Sequence, residues 1–330
     1  MSQTNPDAVI RTLSPVSAEA VQEARIRIAG TVVRTPLVRF NVNTGANEVF
    51  LKLENLQPIG SFKLRGATNA MAIAGREALK DGVYTASAGN MAQGVAWCAR
   101  EFGVKCRVVV PDNAPKAKTD AVERLGGEVI KLPFDDWWQT IVNHGRPGVP
   151  GLFVHPFADV HVMAGNGTIA AEIFDDVTDV DAILVPYGGG GLVCGIAAAA
   201  SVLSPRTKVY AVEVEDAAPL TASLSAGVRT AITRRASFVD GIGSGGVSEE
   251  MWPLAQQLLA GTVVVSVAEV AAAVRLLAER ANVVAEGAGA AAVAAALSGK
   301  VKEQRVVSIV SGGNIDLDKL ALILQGGVPQ

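Results

Sequence analysis

The chain has 330 residues, 49% hydrophobic and 18% charged, with 34 glycines and a formal net charge of -3. That apolar content excludes a disordered chain, and a near-neutral balance with no basic run gives nucleic acid no electrostatic footing. The length suits one large α/β domain or roughly two smaller ones.

The N-terminal MSQTNPDAVIRTLSP lacks the basic start and apolar stretch of a secretion signal, so the cytoplasm is the expected compartment. A helix is predicted over 18–29, capped by Ser17, with Val21, Ala24 and Ile28 on one stripe. The strand Val49–Glu54 follows, its apolar positions alternating with Lys52 and Glu54. Next come a helix over 64–79, a strand Tyr84–Ala88, a helix over 91–102, a strand Cys106–Val110, a helix over 116–125 and a strand Val129–Leu132. Asp135 and Asp136, beside Trp137 and Trp138, read as an exposed loop or a helix start, and NHGRPGVPG (143–151) as a boundary between two lobes. The second half gives strands Ile183–Pro186, Lys208–Val214, Thr262–Val265 and Arg305–Val310, with helices over 191–203, 267–280, 287–297 and 316–324. This alternation predicts parallel sheets covered by helices on both faces. The mean hydropathy of +0.32 raises the question of a membrane. However, apolar stretches such as Gly188–Leu203 fall short of the roughly 20 residues a span requires. Cys98, Cys106 and Cys194 form no CxxC pair and read as small buried residues.

Four clusters fall at strand ends or helix starts: GSFKLRGA (60–67), SAGNMAQG (87–94), GGGGL (188–192) and SGGN (311–314). Open α/β sheets bind ligands beyond the carboxyl ends of their strands. In GGGGL, bare backbone N–H groups at a helix start suit a phosphate, and no Gly-Lys-Ser/Thr follows to make a Walker loop. Gly241–Gly246 satisfies the dinucleotide pattern but lacks a convincing preceding strand, which argues against a nicotinamide site. The Ser87 hydroxyl, Asn90 amide and backbone N–H groups of SAGNMAQG could hold a carboxylate. Lys63, next to Phe62, is a lysine whose burial would lower its pKa and make its amine nucleophilic. His144, His155 and His161 lack metal-ligand spacing, and His155 before Pro156 reads as serving the fold. No GxSxG elbow occurs.

Together with PDNAPKAK (111–118), HPF (155–157), GNGTIAAEI (165–173) and AEGAGA (285–290), these motifs resemble the threonine dehydratase and serine racemase family. Its members are pyridoxal 5′-phosphate (PLP) enzymes of fold type II, the tryptophan synthase β-like α/β fold, with the cofactor between two open twisted lobes. The resemblance implies a large PLP-binding domain from 1–80 and 161–330, a small mobile domain over 81–160, and a homodimer. It implies that Lys63 carries the cofactor and acts as base, Phe62 flanks the ring and Asn90 bonds its 3′-oxygen. Gly188, Gly189, Gly190, Gly191 and Leu192 would cradle the phosphate, and Ser311 would face the pyridine nitrogen. A serine there would not hold the ring nitrogen protonated as a carboxylate would, which makes the ring a weaker electron sink and favours elimination over transamination. Ser87, Ala88, Gly89, Asn90 and Met91 would surround the substrate. The implied reaction is β-elimination from an L-3-hydroxy amino acid, L-threonine or L-serine by default, to a 2-oxo acid and ammonia.

The sequence also departs from the family pattern. Racemases of the family place a second serine where Ala88 stands, which argues against racemisation. Met91 replaces a usual histidine, and DGIGSGGVSEE is also unusual, which leaves a specialised substrate such as 3-hydroxyaspartate or phenylserine open. The family's cation site matches Glu213 and the Ala217 carbonyl, but Pro219 replaces the later acid, so a metal is not expected. β-Replacement synthases follow their lysine with Asp-Arg, whereas Leu64 and Arg65 follow Lys63. A non-catalytic PLP-binding protein is the alternative of another class. SGGN lies so near Gln330 that no regulatory domain, and no feedback inhibition, is expected.

Overall fold

The computed structural model describes residues 11–42 and 48–330. In chain order its first half comprises α1 (Ala18–Ile28), β1 (Leu37–Arg39), β2 (Glu48–Lys52), α2 (Lys63–Ala78), β3 (Val83–Ala86), α3 (Asn90–Phe102), β4 (Cys106–Pro111), α4 (Lys116–Arg124), β5 (Gly127–Leu132), α5 (Phe134–Val142) and β6 (Leu152–Phe153). The second half comprises α6 (Val160–Asp176), β7 (Ala182–Pro186), α7 (Gly191–Leu203), β8 (Lys208–Val214), α8 (Pro219–Ala226), α9 (Trp252–Leu258), β9 (Gly261–Val265), α10 (Val267–Ala281), α11 (Gly287–Leu297), β10 (Arg305–Ile309) and α12 (Leu317–Leu324).

Six strands form one sheet in the order β1-β2-β10-β7-β8-β9, and four form another in the order β5-β4-β3-β6. All pairings are parallel except β1 with β2. Strands from both ends of the chain lie side by side, with Val49 opposite Val306. In the larger sheet the period of two sends alternate residues to opposite cores. Leu184, Val212 and Val306 join one apolar cluster, and Ile183, Val185, Ala211 and Val307 join the other. The Ser17 side chain accepts from the Ala20 N–H, and Val21, Ala24 and Ile28 are buried, as the sequence pattern predicts.

The largest element the sequence reading misses is α6. Glycines weaken its helical pattern, and it is buried from Val162 to Ile173, so it shows no polar face. The glycines are required by packing: a Cβ on Gly165 would lie 2.5 Å from the Arg65 carbonyl oxygen, and one on Gly195 2.4 Å from that of Met163. Helices α2, α6 and α7 thus meet almost backbone to backbone. Also unforeseen are the short β1, β6, α8 and α9, while Asp135 and Asp136 occupy the first turn of α5. The predicted strand Val49–Glu54 stops at Lys52, because Glu54 opens a 3-10 turn. Helix α2 is interrupted at Gly75, where φ is +74°. The stretch 143–151 does not separate the sheets: it leads from α5 to β6, which pairs with β3 in the smaller sheet. Around Gly241 only a 3-10 turn forms, Asp240–Ile242, with no strand before it.

Beneath α2 lies a closed cluster of buried charges. Arg65 grips Glu54 through Nε and Nη2, both at 2.8 Å, and Glu172 through Nη1 at 2.7 Å and Nη2 at 2.8 Å. Lys52 Nζ donates to Glu172 at 2.6 Å and to the Thr35 carbonyl at 2.7 Å, and the Thr35 hydroxyl donates to Glu54 at 2.6 Å. Two cations and two carboxylates cancel. Burial by itself would raise the Glu54 carboxyl, but the adjoining Arg65 holds it below its ordinary value.

Candidate active site

The site assembles where loops leave the carboxyl ends of β3, β7 and β10 beside the N-terminus of α2. Strand β7 leads through Tyr187 into Gly188–Gly190 and then α7, with Gly190 in the left-handed region at φ +91° and no side chain capping the helix. Among the described residues, the first-turn N–H groups of Gly191 and Leu192 have no side-chain acceptor. Two of these glycines have no room for a side chain: a Cβ on Gly189 would lie 2.3 Å from the Phe157 ring, and one on Gly191 2.5 Å from the Phe157 carbonyl oxygen. The HPF segment presses against the glycine loop and leaves only backbone facing outward.

The same segment holds the lysine. Lys63 Nζ donates to the Pro156 carbonyl at 2.6 Å and stands 5.2 Å from the centroid of the Phe62 ring. No carboxylate pairs with it among the described residues, and burial pushes the ammonium down to about 8. His155 orders the turn behind it, its Nδ1 accepting from the N–H groups of Phe157 at 3.1 Å and Ala158 at 2.7 Å. Burial, with His144 and Lys63 nearby, pushes the His155 imidazole well below its ordinary value.

The loop after β10 is stitched to the start of α2. The Phe62 N–H donates to the Ser311 carbonyl at 3.0 Å, Ser61 bridges Gly312, and the Gly313 N–H donates to the Gly60 carbonyl at 2.9 Å. This brings the buried Ser311 next to the lysine segment. From the other side, β3 ends in Ser87, Ala88 and Gly89, all half-buried, and Gly89 starts α3 without a side-chain cap. The Ser87 hydroxyl accepts from the Gly89 N–H at 3.1 Å. Asn90 meets the β10 loop directly: its Nδ2 donates to Glu286 Oε1 at 2.7 Å, and its Oδ1 accepts from Asn314 Nδ2 at 2.8 Å.

Lys63, Phe62, Asn90, the glycine loop and Ser311 therefore share one region. Met91 is a correction. Its unbranched apolar side chain is 1% exposed and belongs to the core cluster of Leu64, Met71 and Val95, so it packs beneath the loop and does not line it. Sequence reasoning assigned no role to Pro156, Phe157, Glu286 or Asn314, although all four lie in motifs it singled out. Glu213 lies near the end of β8, and the next residue, Val214, bridges Ala217. Both Glu213 oxygens are engaged by α8, accepting from the Leu220 N–H at 2.8 Å and from the Thr221 N–H at 2.7 Å and hydroxyl at 2.6 Å. His144, His155 and Glu250 gather within 4.8 Å despite their spacing in sequence. The two rings are stacked at 4.4 Å, and an Arg11 guanidinium nitrogen lies 3.3 Å from His144 Nδ1.

A family model described as pyridoxal-phosphate dependent enzyme matches residues 28–312. The chain belongs to this family. It is 39% identical over 318 residues to the L-threonine ammonia-lyase of Thermotoga maritima, covering 95% of this chain and 79% of that one. It is 37% identical over 322 residues to the L-threonine dehydratase catabolic TdcB of Escherichia coli K12, covering 94% and 96%. Among solved structures, serine racemase from Dictyostelium discoideum superposes with a TM-score of 0.82 at 32% identity, covering 92% of this chain and all of that one. The two-sheet architecture is that of fold type II, and the cofactor is pyridoxal 5′-phosphate. The observed geometry fits it: a half-buried lysine without an acid partner lies close to a glycine cradle from which a Cβ is excluded.

Proposed function

We propose that the protein is an ammonia-lyase that eliminates the β-hydroxyl of a small L-3-hydroxy amino acid, L-threonine or L-serine first, giving a 2-oxo acid and ammonia. The observation that carries this reading is Lys63, an amine lowered to about 8 beside an uncapped glycine loop, in a chain similar to two threonine-deaminating enzymes.

When bound, PLP supplies an electron sink for the negative charge that develops at the substrate Cα. Lys63 would hold the cofactor, Phe62 would flank it and Asn90 would bond its 3′-oxygen. The N–H groups of Gly188 to Leu192 would bind its phosphate, with Ser311 at the ring nitrogen. The substrate carboxylate would rest on the Ser87 hydroxyl and the free N–H groups at the start of α3, with Ala88 and Gly89 leaving room for it. Freed when the substrate amine takes its place on the cofactor, Lys63 Nζ would accept the Cα proton as general base. The β-hydroxyl would depart as water with a proton returned by a nearby acid such as the Lys63 ammonium so formed, and the enamine released would be hydrolysed by water to the 2-oxo acid and ammonia. The strands of the smaller sheet all fall between Val83 and Phe153, which supports a small domain over 81–160 closing on a large one from 1–80 and 161–330 to exclude water. Lys118 to Asp240 at 2.5 Å and His144 to Glu250 at 2.8 Å would bridge the two. A cytoplasmic homodimer is the assembly and compartment expected; among the described residues no helix is long and apolar enough to cross a membrane.

The purified protein should be yellow, and borohydride should bleach it while fixing the cofactor to a peptide containing Lys63. A panel of 3-hydroxy amino acids, including 3-hydroxyaspartate and phenylserine, scored for ammonia and 2-oxo acid identifies the substrate. Release of neither product from any of them would refute the lyase. The likeness to serine racemase favours a racemase as the second reading; Ala88 weighs against it, and chiral analysis showing a D-isomer accumulating would establish it.

A further inference from the structure

We infer that Glu286 and Asn314 are positioning residues that fix the orientation of the Asn90 amide toward the cofactor. The inference rests on the reading of Asn90 as the residue at the cofactor's 3′-oxygen. An asparagine amide has an accepting and a donating end that differ little in shape, so a residue meant to donate in one direction needs something to prevent its flipping. Here both ends are specified. Asn314 Nδ2 donates to the Ile59 carbonyl at 2.9 Å, and a carbonyl can only accept. The amino group of Asn314 is thereby fixed, and it can meet only the oxygen end of Asn90, at 2.8 Å. The amino end of Asn90 then necessarily faces Glu286 Oε1, at 2.7 Å. One hydrogen of Asn90 Nδ2 serves Glu286, and the other has no partner among the described residues.

The surroundings are built for this contact. The Glu286 N–H donates to the Gly312 carbonyl at 3.0 Å, which fixes the acid against the loop following Ser311. A Cβ on Gly312 would lie 2.3 Å from Glu286 Oε1 and 3.2 Å from Asn90 Nδ2, so only glycine lets the two side chains meet there. Asn314 begins the next segment of the same loop. One loop thus carries Ser311, the glycine that makes space and one half of the clamp, while the start of α11 carries the other half. The groups facing Glu286 are Asn90 on α3, Asp240 on the 3-10 turn and Lys118 on α4. Burial pushes the acid up to about 7, so it exchanges its proton near neutrality. The ionised form accepts the stronger hydrogen bond, so the clamp tightens as pH rises through that value.

The experiment compares wild type with Glu286→Gln, Asn314→Ala and Asn90→Ala. PLP is titrated into each cofactor-free protein, and the visible spectrum of each holoprotein is recorded from pH 6 to 9. Glu286→Gln is nearly isosteric, and Asn314 is exposed, so both variants should fold, which thermal unfolding checks. Each should weaken cofactor binding about tenfold, the loss expected for a charge-assisted or orienting hydrogen bond. The wild-type change in affinity near pH 7 should be absent from Glu286→Gln. In an Asn90→Ala background both substitutions should become silent, because their action passes through Asn90. Wild-type affinity and spectrum in both single variants, or full effects persisting without Asn90, would overturn the clamp. Failure of borohydride to label Lys63 in the wild type would overturn the site assignment itself, whatever the variants do.

Discussion

Arg65 and Lys63 lie two residues apart at the start of α2, and the fold treats their charges in opposite ways. Arg65 is closed into two bidentate pairs with Glu54 and Glu172, whereas Lys63 has only a carbonyl oxygen at its tip among the described residues. Burying a charge is costly unless it is paired, so a buried single charge must be neutralised or carry a free-energy penalty. The Arg65 cluster holds α2 against α6 with its charge cancelled. Lys63 remains unpaired and easily deprotonated, as a base or an amine nucleophile requires. Helix α2 is thus anchored by one cation so that another can be presented.

The largest expected contrast comes from removing each cation. Lys63→Met should lower turnover by about a thousandfold or more, measured as ammonia released, because the proposed base and cofactor anchor would be lost together. Its effect on the stability of the cofactor-free protein should have the opposite sign. Lys63 is held near 8 against an ordinary value of 10.5. Folding is therefore penalised by the charge in full below about pH 8 and not above 10.5. The variant should melt higher than wild type at pH 7, and the gap should close by pH 11.

Arg65→Met should act in the reverse manner, lowering stability by about 3–5 kcal/mol because buried Glu54 loses its cationic partner while Glu172 keeps only Lys52, as read by urea unfolding. In the wild type Glu54 is held below its ordinary value, so its contribution is present at neutral pH and is lost as pH falls through the folded value. In the variant Glu54, buried and without Arg65, would prefer to be protonated, and the deficit should shrink in acid. Equal stability losses from Lys63→Met and Arg65→Met would break the comparison.

The glycine loop proposed to cradle the cofactor supplies the next test. A Cβ on Gly189 would come within 2.3 Å of the Phe157 ring, so Gly189→Ala must displace the segment that also holds Lys63. The expected cost is about 1–3 kcal/mol of stability, with weaker PLP binding in titration. Ala88→Gly, outside this contact, should leave both nearly unchanged.

The paired cluster and the site differ in how far the sequence reveals them. Lys63, Asn90, the four glycines and Ser311 lie in short polar or glycine-rich runs at element ends, where composition departs from the apolar background. Strands β4, β7 and β8 and helices α7, α10 and α11 are legible because each is a run of one type between breakers. Helix α6 is hidden because a helix buried on all sides has no polar stripe, and its glycines, which packing requires, read as breakers. Met91 follows the residue that faces the site, yet the helix turn carries its side chain into the core. Pairings such as Arg65 with Glu172, or Asn90 with Glu286, join residues so far apart in the chain that no local period could indicate them.

The smallest predicted effect concerns how weak neighbours tune a single charge. Lys118 and Asp240 form an exposed pair at 2.5 Å, and such pairs contribute about 0–1 kcal/mol, so Lys118→Ala should barely change the melting temperature. Lys118 is also one of the groups facing Glu286, and its positive charge favours the ionised acid, whereas Asp240 opposes it. Removing the cation leaves burial and Asp240 acting in the same direction, which moves Glu286 further above 7. The pH at which cofactor affinity changes should therefore shift upward in Lys118→Ala and downward in Asp240→Asn, with folding stability almost constant in both. Identical shifts in the two variants would mean that the pair acts by holding the mouth of the site closed. Opposite shifts would mean that the exposed ions act through the buried acid, distinguishing its tunable charge from the Arg65 cluster, whose partners already cancel.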